Sequence, residues 1–430
     1  MLNDLSKLDT DLKNGIKVAV ESFKNKFGKS NEKVFCAVAP ARVNLVGDHI
    51  DYNGGFVFPC AINLYLYIVI RKNATKRISY FAKDLNKTFD FSLDDKNAFL
   101  YNKDLDFENY LNGTLKFLTE KNLKINSGFD VLIHSNIPIG SALSSSAALE
   151  VAFALAVSKI FNFEISRKEV ALLGKRVENE FLGLQSGIMD QFIIANAKKN
   201  TCMLLNTANL ETTFFNFNLD ALSERKTEAY SLLVMNTCKP RSLLNSKYNE
   251  RKAECEKALA VLQKHFLQKP QKPIENLCEL KIGDLHESEK ILKNAFEANE
   301  AKRLFSRVSH CVNENNFVLQ ATRALSENNL KQLGSILTSS HTSLKKDYEV
   351  TGAELDALVK YALENKACLG ARMTGAGFSG CAIAIVKNSA VEEFINEIAR
   401  KYKAECNLDA EFYVCKSVNA ADVFEIKIKD

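Results

Sequence analysis

The sequence has no CxxC pair among its eleven cysteines, and their odd number cannot pair completely within one chain. Neither a disulfide framework nor a zinc knuckle is therefore predicted. Reduced thiols of this kind are typical of cytosolic proteins. The opening segment MLNDLSKLDTDLKNG has no apolar core of the signal-peptide type, and no run of about 18 or more apolar residues follows it. We therefore expect a cytoplasmic protein without a membrane anchor.

The sequence also lacks tryptophan, a large charge excess, internal repeats and low-complexity tracts. Its net charge is only +5, and its lysines are scattered rather than clustered with aromatic residues, which argues against nucleic-acid binding. Apolar residues make up 46% and charged residues 25%, values that are ordinary for a soluble globular enzyme. At 430 residues, the chain is longer than one hydrophobic core usually organises. We expect two domains, residues 1–212 and 213–430.

Both predicted domains mix helices and strands. An amphipathic helix over residues 9–27 leads to a short strand and a polar, glycine-ended loop, KVFCAVAPARVNLVGDHIDYNGG. The apolar segment CAINLYLYIVIRKN then predicts a strand. The second half contains several long helical patterns and closes with the strand patterns GCAIAIV and EFYVCKSV. The first domain has strands with helices interspersed, and the second is predicted to be an α+β unit of its own.

The segment PIGSALSSSA, residues 138–147, precedes an apolar helical pattern and contains very small side chains. The first turn of a helix has unpaired N–H groups and the positive end of the helix dipole, so it attracts phosphate. A capping role explains one serine, but hardly three consecutive serines and a glycine turn. We therefore predict a phosphate-binding loop. The lysine and spacing of a Walker A motif are absent from it.

A second glycine-rich segment, TGAGFSG at residues 374–380, has the GxGxxG spacing of dinucleotide-binding proteins. That motif should follow a strand and open a helix. Here a helical pattern over 352–365 precedes it, and the strand pattern CAIAIV follows it. The segment is therefore interpreted as a glycine turn, either against an active site or in a plain loop.

Two further groups of polar residues are candidates for chemistry. The segment ARVNLVGDHIDYNGG alternates polar and apolar residues, a pattern suited to a polyhydroxylated ligand rather than to a solvated loop. Glu178 and Asp190 lie twelve residues apart on either side of a loop. A phosphoryl-transfer site needs one carboxylate or hydroxyl for Mg²⁺ and another carboxylate near the attacking hydroxyl. From spacing alone, each of these two is more often a surface charge.

Three segments together resemble the galactokinase family, which belongs to a superfamily with homoserine, mevalonate and phosphomevalonate kinases. They are ARVNLVGDHIDY at 41–52, PIGSALSSSA at 138–147 and GARMTGAGFSGC at 370–381. Pieces between them, such as VENEFLGLQSGIMDQF, are also similar to the family in the same order. The resemblance extends over about residues 35–386. It implies a two-lobed small-molecule kinase fold, with the active site between an N-terminal and a C-terminal α+β domain.

The resemblance also implies an activity: ATP-dependent transfer of phosphate to the anomeric C1 hydroxyl of galactose, as in the Leloir pathway of galactose metabolism. Asp190 and Arg42 are the implied catalytic residues, with Asp190 facing the hydroxyl and Arg42 beside it. Ser145 and Glu178 are the implied ligands of Mg²⁺. The implied substrate and nucleotide contacts are Arg42, Asp48, His49, Asp51, Gly187, Asp190 and Tyr248 for the sugar, and Gly140, Ser141, Ala142, Ser144, Ser145 and Ser146 for ATP. A monomer is expected.

Several residues depart from the family pattern. Asp48 stands where the family has a glutamate that contacts the far end of the sugar, so selectivity around C6 is open. Ala142 replaces a loop glycine, which strains the backbone if φ is positive there. Ala41 precedes Arg42 where the family has glycine, and Ser379 replaces another glycine. Phe107 takes the place of a tryptophan common among relatives, which bears on the adenine contact.

Three other functions remain to be weighed. A kinase for a related sugar, such as N-acetylgalactosamine or another aldose, would share every motif above. A galactokinase-like sensor would bind sugar and ATP without catalysis, but known sensors lack part of the phosphate loop, whereas Ser146 and Ala147 are present here. An NAD-binding protein would rest only on the glycine spacing of residues 375–380.

Overall fold

The computed structural model describes residues 8–95, 99–219, 229–240, 244–266 and 273–427. Within them lie helices and strands with the following bounds. The helices are α1 Thr10–Phe27, α2 Glu108–Glu120, α3 Ser145–Ile160, α4 Arg167–Arg176, α5 Met189–Asn196, α6 Leu244–Phe266, α7 Leu285–Ala295, α8 Ala298–Ser326, α9 Leu330–Ser343, α10 Ala353–Glu364 and α11 Val391–Cys406. The strands are β1 Val34–Asn44, β2 Phe56–Val57, β3 Pro59–Lys72, β4 Arg77–Ala82, β5 Lys87–Ser92, β6 Phe129–Ser135, β7 Thr201–Asn206, β8 Thr212–Asn216, β9 Tyr230–Asn236, β10 Cys368–Thr374, β11 Cys381–Lys387, β12 Glu411–Cys415 and β13 Asp422–Ile426.

A six-stranded sheet in the order β13-β1-β3-β6-β4-β5 forms the base of the N-terminal lobe. Strand β1 is buried along its whole length because α3 and α5 pack against it. It therefore has no solvent-exposed face. Its register with β3 shifts between Pro40 and Ala41. A shift of this kind bends a strand and redirects the side chains that follow it. The redirected side chain here is that of Arg42.

Helix α1 confirms the helix predicted over residues 9–27. Asp9 caps it, because its carboxylate accepts a hydrogen bond of 2.8 Å from the backbone N–H of Leu12. Helix α3 is apolar on nearly every face and is buried against β1, β3, α2 and α5. An all-round apolar helix is expected in the centre of a lobe.

A four-stranded antiparallel sheet, β10-β11-β9-β12, lies in the C-terminal half with α9, α10 and α11 around it. The glycine segment of residues 375–380 is the turn between β10 and β11. Its interpretation as a turn is confirmed, but the helix α10 does not lead into it directly, because β10 lies between them. The alternating small and polar residues of CLGARMT concealed this strand from the sequence pattern.

The last described strand, β13, pairs with β1 although it comes from the end of the chain. A small third sheet, β2-β7-β8, connects the loop after β1 with the chain that follows α5. The domain limits at residues 212 and 213 stay a prediction. Strand β13 comes from the predicted C-terminal domain but pairs with β1 of the N-terminal sheet. A bilayer-crossing helix is absent from the described residues, where each helix is either too short or too polar to span a membrane.

Candidate active site

Two cavities adjoin where the phosphate loop, α5 and the β10–β11 turn meet. One, of about 170 Å³, is lined by polar side chains, and the other, of about 490 Å³, combines the phosphate loop with an apolar wall. Both are lined by Arg42, Asp190 and Ala376. A group transferred from one cavity to the other would therefore pass these three residues.

Arg42 and Asp190 form a bidentate ion pair at this boundary. The Arg42 Nε donates to Asp190 Oδ1 at 2.7 Å, and its Nη2 donates to Asp190 Oδ2 at 2.6 Å. The remaining Nη1 donates to the Ala142 carbonyl at 2.8 Å, which connects the pair to the phosphate loop. Arg42 is buried, whereas Asp190 is partly exposed to the cavities. The planar guanidinium suits this two-pronged geometry, which a lysine could not reproduce.

The N-terminus of α3 faces the larger cavity. Ser144 occupies the capping position, but its hydroxyl makes no capping bond and donates instead to Asp190 Oδ2. The first-turn N–H groups of α3 therefore have no capping bond from Ser144. Unpaired N–H groups at the N-terminus of a helix stabilise an anion. Of the six residues predicted for ATP, five line this cavity: Gly140, Ala142, Ser144, Ser145 and Ser146. Ser141 is buried behind the loop, where its hydroxyl donates to the Pro138 carbonyl at 2.7 Å.

The phosphate loop has three residues in the left-handed region: Gly140 with φ 73°, Ala142 with φ 62° and Ser144 with φ 64°. Ala142 is therefore strained as expected for an alanine in place of glycine, by about 1 kcal/mol. The β10–β11 turn encloses the loop closely, because a Cβ on Gly380 would lie 2.7 Å from the Ala142 Cβ. Residues larger than glycine are excluded from position 380, and little space remains around position 142.

Ala142→Val is expected to raise KM for ATP by about tenfold or more, because a β-branched residue at positive φ distorts the loop. Ala142→Gly removes the strain and should leave kcat and KM within about twofold of the parent. Initial-rate measurements at varied ATP check both. An unchanged KM in the valine variant would show that the loop does not contact the nucleotide.

Glu178 lies in an irregular helical turn, Val177–Phe181, that continues α4. Its carboxylate is buried, accepts from the Ser186 hydroxyl at Oε2, and receives only a long contact of 3.4 Å from the Ser146 hydroxyl at Oε1. Burial, and secondarily the charge of Asp190, raise the pKa of Glu178. A cation bound nearby would stabilise the ionised form of this carboxyl group.

The oxygen set around Glu178 fits Mg²⁺. The Glu178 carboxylate lines the smaller cavity and contacts the Ser146 hydroxyl at 3.4 Å, and Ser145 lines the larger cavity beside Ser146. Mg²⁺ prefers hard oxygen ligands and usually takes only one or two carboxylates from the protein, with phosphates and water completing the shell. No cluster of three acidic, histidine or cysteine side chains suitable for a metal occurs in the described ranges. A metal held partly by a nucleotide agrees with that donor set.

The smaller cavity gathers the predicted sugar residues. Asp51, Gly187 and Tyr248 line it together with Asp48 and His49. A Cβ on Gly187 would lie only 1.8 Å from Asp51 Oδ2, so the absence of a side chain there makes room for the carboxylate. The Gly187 backbone also hydrogen bonds the Tyr248 hydroxyl. The Tyr248 ring lies 5.4 Å from that of His49 and closes one side.

Asp48 and His49 are held firmly from behind. Asp48 Oδ2 accepts from Arg372 Nη2 at 2.5 Å, and Oδ1 accepts from Asn44 Nδ2 at 3.0 Å. His49 hydrogen bonds the Tyr52 hydroxyl at 2.8 Å and the Ala376 carbonyl at 3.1 Å. This end of the cavity therefore has its polar atoms already engaged within the protein.

Burial shifts the protonation of the sugar-cavity residues. The pKa of Asp48 is raised to about 6 by burial against the opposing charge of Arg372. Burial and the charge of Asp190 raise the pKa of Asp51 to about 6 as well. Burial lowers the pKa of His49 to about 3, so this ring is neutral. The cavity thus offers two acidic groups and an uncharged imidazole.

The far end of the larger cavity is apolar. Its wall includes Leu66, Phe107, Tyr110, Ile133 and Leu149. Phe107 is part of this wall, and the centre of its ring lies 5.6 Å from that of Phe89. A flat aromatic base would find an apolar slot here, next to a site for its phosphates.

Several site residues escaped the sequence analysis. The Ser186 hydroxyl donates to Glu178, and Arg372 donates to Asp48. Ala376 lines both cavities. A signal existed for Arg372, because an arginine within a buried strand needs an acidic partner. No comparable signal existed for Ser186 or Ala376, since their roles depend on chain segments distant in sequence.

Taken together, the fold and the paired cavities define a two-lobed α+β kinase for small molecules. The galactose-binding signature of galactokinase matches residues 21–72, the N-terminal domain of GHMP kinases matches residues 109–198, and their C-terminal domain matches residues 321–404. The galactokinase of Clostridium perfringens (strain SM101 / Type A) is 42% identical over 93% of this chain and 97% of its own length. That of Clostridium acetobutylicum is 40% identical over 94% of this chain and 96% of its own. The chain belongs to the galactokinase family.

Solved structures agree with this assignment. Lactococcus lactis galactokinase complexed with galactose is 35% identical, has a TM-score of 0.84, and covers 95% of this chain and 99% of its own. Methanococcus jannaschii mevalonate kinase, at 22% identity with a TM-score of 0.64 over 89% of this chain and 98% of its own, supports the fold alone. The predicted family and fold class are confirmed.

Proposed function

We propose that the protein transfers the γ-phosphoryl group of ATP to the anomeric C1 hydroxyl of galactose, giving galactose 1-phosphate. The observation that carries the proposal is the Arg42–Asp190 pair on the boundary of two cavities. One cavity suits a small polyhydroxylated molecule, and the other suits a nucleotide. Family membership supports the same pair of substrates.

ATP binds in the larger cavity with its phosphates on the loop 140–146 and the first turn of α3. The uncapped N–H groups and the dipole of α3 stabilise the triphosphate charge without a Walker lysine. The adenine occupies the apolar slot beside Phe107 and Tyr110. The γ-phosphate then lies toward Arg42, whose guanidinium balances the charge that develops during transfer.

Galactose occupies the smaller cavity with its C1 hydroxyl toward Asp190. Asp51, Tyr248 and the Gly187 region offer hydrogen-bonding groups to the other hydroxyls. Asp48 and His49 form the opposite wall, where their internal hydrogen bonds fix their orientation. Orientation of both substrates accounts for a large part of the rate in reactions of this type.

Asp190 has two compatible roles. As a general base, it accepts the C1 proton, which contributes about 10²–10⁴ in rate. As a positioning group, it orients the hydroxyl, since a loose phosphoryl-transfer transition state demands little proton removal. Ser144 and Arg42 fix the carboxylate for either role.

Mg²⁺ would be held by Glu178 and the Ser145 hydroxyl. Bound with ATP, it would neutralise phosphate charge and favour departure of ADP. Glu178 is oriented for this by Ser186 and bears a raised pKa that a cation would oppose.

Incubation with galactose and Mg-ATP, followed by NMR of the product, tests the proposed function. We expect galactose phosphorylated at C1 and not at C6. A panel containing N-acetylgalactosamine and other aldoses should show lower kcat/KM than galactose. Equal or better turnover of another sugar would replace galactose as the substrate, and binding without turnover would favour a sensor.

Galactose binding should weaken about tenfold as pH falls from about 7.5 to about 5, because protonated Asp51 is a poorer acceptor. The pKa of Asp51 is about 6 in the folded chain against an ordinary 3.8, so the folded state binds more protons in between. Protonation of Asp51 therefore adds stability as pH falls through 6, and the lost affinity does not reflect unfolding. Calorimetric titration with galactose measures the change, and Asp51→Asn should flatten it. A pH-independent affinity would contradict a sugar contact at Asp51.

We also propose that the chain acts as a monomer in which residues 1–212 supply the nucleotide loop and most of the sugar cavity. Tyr248 and Ala376 complete the site from the C-terminal half, so both halves of one chain are needed. Light scattering of the purified protein tests the oligomeric state.

A further inference from the structure

Glu150 is a buried acidic residue without a part in the proposed function. It lies on α3 one turn after Ser146 and is only 1% exposed. Its Oε2 accepts from the Gln191 Nε2 at 3.0 Å, while its Oε1 has no hydrogen-bond partner among the described residues. A buried ionised carboxylate needs a cation or several donors, and Glu150 has one amide. The geometry therefore indicates an uncharged carboxyl group.

Gln191 connects Glu150 with the segment that carries Asp190. It is completely buried in the first turn of α5, directly after Asp190. Its amide donates to Glu150 Oε2 at 3.0 Å. The amide thus joins α3, which begins at the phosphate loop, to the first turn of α5.

Space for this contact is provided from a third helix. Gly174 lies within α4, where a Cβ would come 2.8 Å from Gln191 Cγ and 2.9 Å from Glu150 Oε2. Glycine inside a helix destabilises it by about 0.5–1 kcal/mol relative to alanine. The glycine that permits the close approach of Glu150 and Gln191 therefore lowers the intrinsic stability of α4.

The surroundings oppose a charge on Glu150. Burial, and then the charge of Glu178, raise the pKa of Glu150 well above its ordinary range. The Gln191 amide lowers the pKa of Glu150, and Asp190 raises it further. An additional negative charge here would also repel the phosphates that the loop has to bind.

We propose that Glu150 is a positioning residue for phosphoryl transfer, acting as a hydrogen-bonding partner and not as a charge. It holds the Gln191 amide, and through it the first turn of α5, so that Asp190 faces the acceptor hydroxyl. The inference rests on the proposed function.

The test compares Glu150→Gln with Glu150→Met. Glutamine keeps the size and the acceptor oxygen, so kcat should stay within about threefold of the parent. Methionine keeps the volume but removes the hydrogen bond, and kcat should fall about 10²-fold through misplacement of Asp190. KM for galactose should change less than about threefold, because Glu150 does not line the sugar cavity. Equal impairment of both variants, or a methionine variant with more than half the parent kcat, would overturn the proposal.

Gly174→Ala provides a second route to the same pair. Alanine favours the helix but displaces Gln191 and Glu150, so kcat should fall while the protein folds. If the methionine variant does not fold, this variant decides, and an unchanged kcat would then contradict the proposal. Ser158→Ala is the matched control, since Ser158 is buried on the same helix and its hydroxyl has no partner among the described residues.

Assays of the parent protein distinguish a failure of this inference from a failure of the proposed function. Absence of galactose 1-phosphate from the parent would refute the function, and the variants would then be compared on whichever sugar is turned over. An active parent with insensitive variants would refute only the role of Glu150. Thermal unfolding of each variant shows whether a loss of kcat accompanies a loss of fold.

Discussion

Asp190→Asn is expected to lower kcat by about 10²–10⁴-fold while galactose still binds. Asparagine has nearly the same volume, but it is uncharged and can accept hydrogen bonds through one oxygen only. Arg42 would lose its two-pronged partner, and the acceptor hydroxyl would lose the group that orients it or takes its proton. Stopped assays give kcat, and titration of the unreacting variant gives the galactose affinity, which should change less than about tenfold.

A buried ion pair elsewhere supplies the control for this substitution. Asp130 on β6 accepts from Arg71 Nε on β3 at 2.9 Å, and neither residue lines the two cavities. Both Asp130→Asn and Asp190→Asn leave a buried arginine without its carboxylate, which destabilises a protein by about 3–5 kcal/mol. Only the second should abolish turnover. If Asp190→Asn retained more than half of the parent kcat, the catalytic assignment would be refuted.

Gly187→Ala is expected to raise KM for galactose about 10²-fold or more, with little effect on KM for ATP. The added methyl group would overlap Asp51, whose carboxylate carbon lies 2.0 Å from the position of the new Cβ. Either Asp51 or the loop before α5 must move, and both changes alter the sugar cavity. Initial rates at varied galactose and at varied ATP separate the two substrates.

Gly183→Ala in the same loop is the matched control. Gly183 has φ 72°, but no atom lies within 4 Å of the position that a Cβ would take. The control therefore adds backbone strain without a collision. It should reduce stability by about 1 kcal/mol and leave KM for galactose nearly unchanged. Equal effects of the two substitutions on KM would indicate that loop strain, and not the fit of Asp51, governs binding.

Local sequence patterns predicted the backbone of residues 138–147 well, and phosphate binding there stays a prediction. Residues 138–147 combine a glycine turn, small side chains and the start of an apolar helix, and each has a direct structural consequence. The glycine turn and the helix start depend on neighbours in the chain, so a single sequence contains most of the information about them. The expectation of strain at Ala142 came instead from the family pattern, and the φ of 62° agrees with it.

Features that depend on distant contacts could not be predicted in this way. Strand β13 joins the N-terminal sheet only because β1 has an open edge, which no local pattern reveals. The bond from Arg372 to Asp48 joins β10 to the loop after β1. The burial of Glu150 between α4 and α5 likewise depends on contacts with residues that are distant in the sequence.

The pairing of Arg42 with Asp190 was expected only from family resemblance, since 147 residues separate the two in the sequence. The register shift in β1 before Arg42 and the short α5 bring them together. Spacing alone would have classed Asp190 as a surface charge. Resemblance over most of the chain was therefore more informative here than any single motif.

A crystal structure of the protein with galactose and a non-hydrolysable ATP analogue tests the central claim most directly. We expect the phosphates against the backbone of residues 140–146 and the first turn of α3, with the C1 oxygen within hydrogen-bond distance of Asp190. Arg42 should lie between that carboxylate and the terminal phosphate. A nucleotide bound in another cavity, or an Asp190 side chain turned away from the sugar, would contradict it.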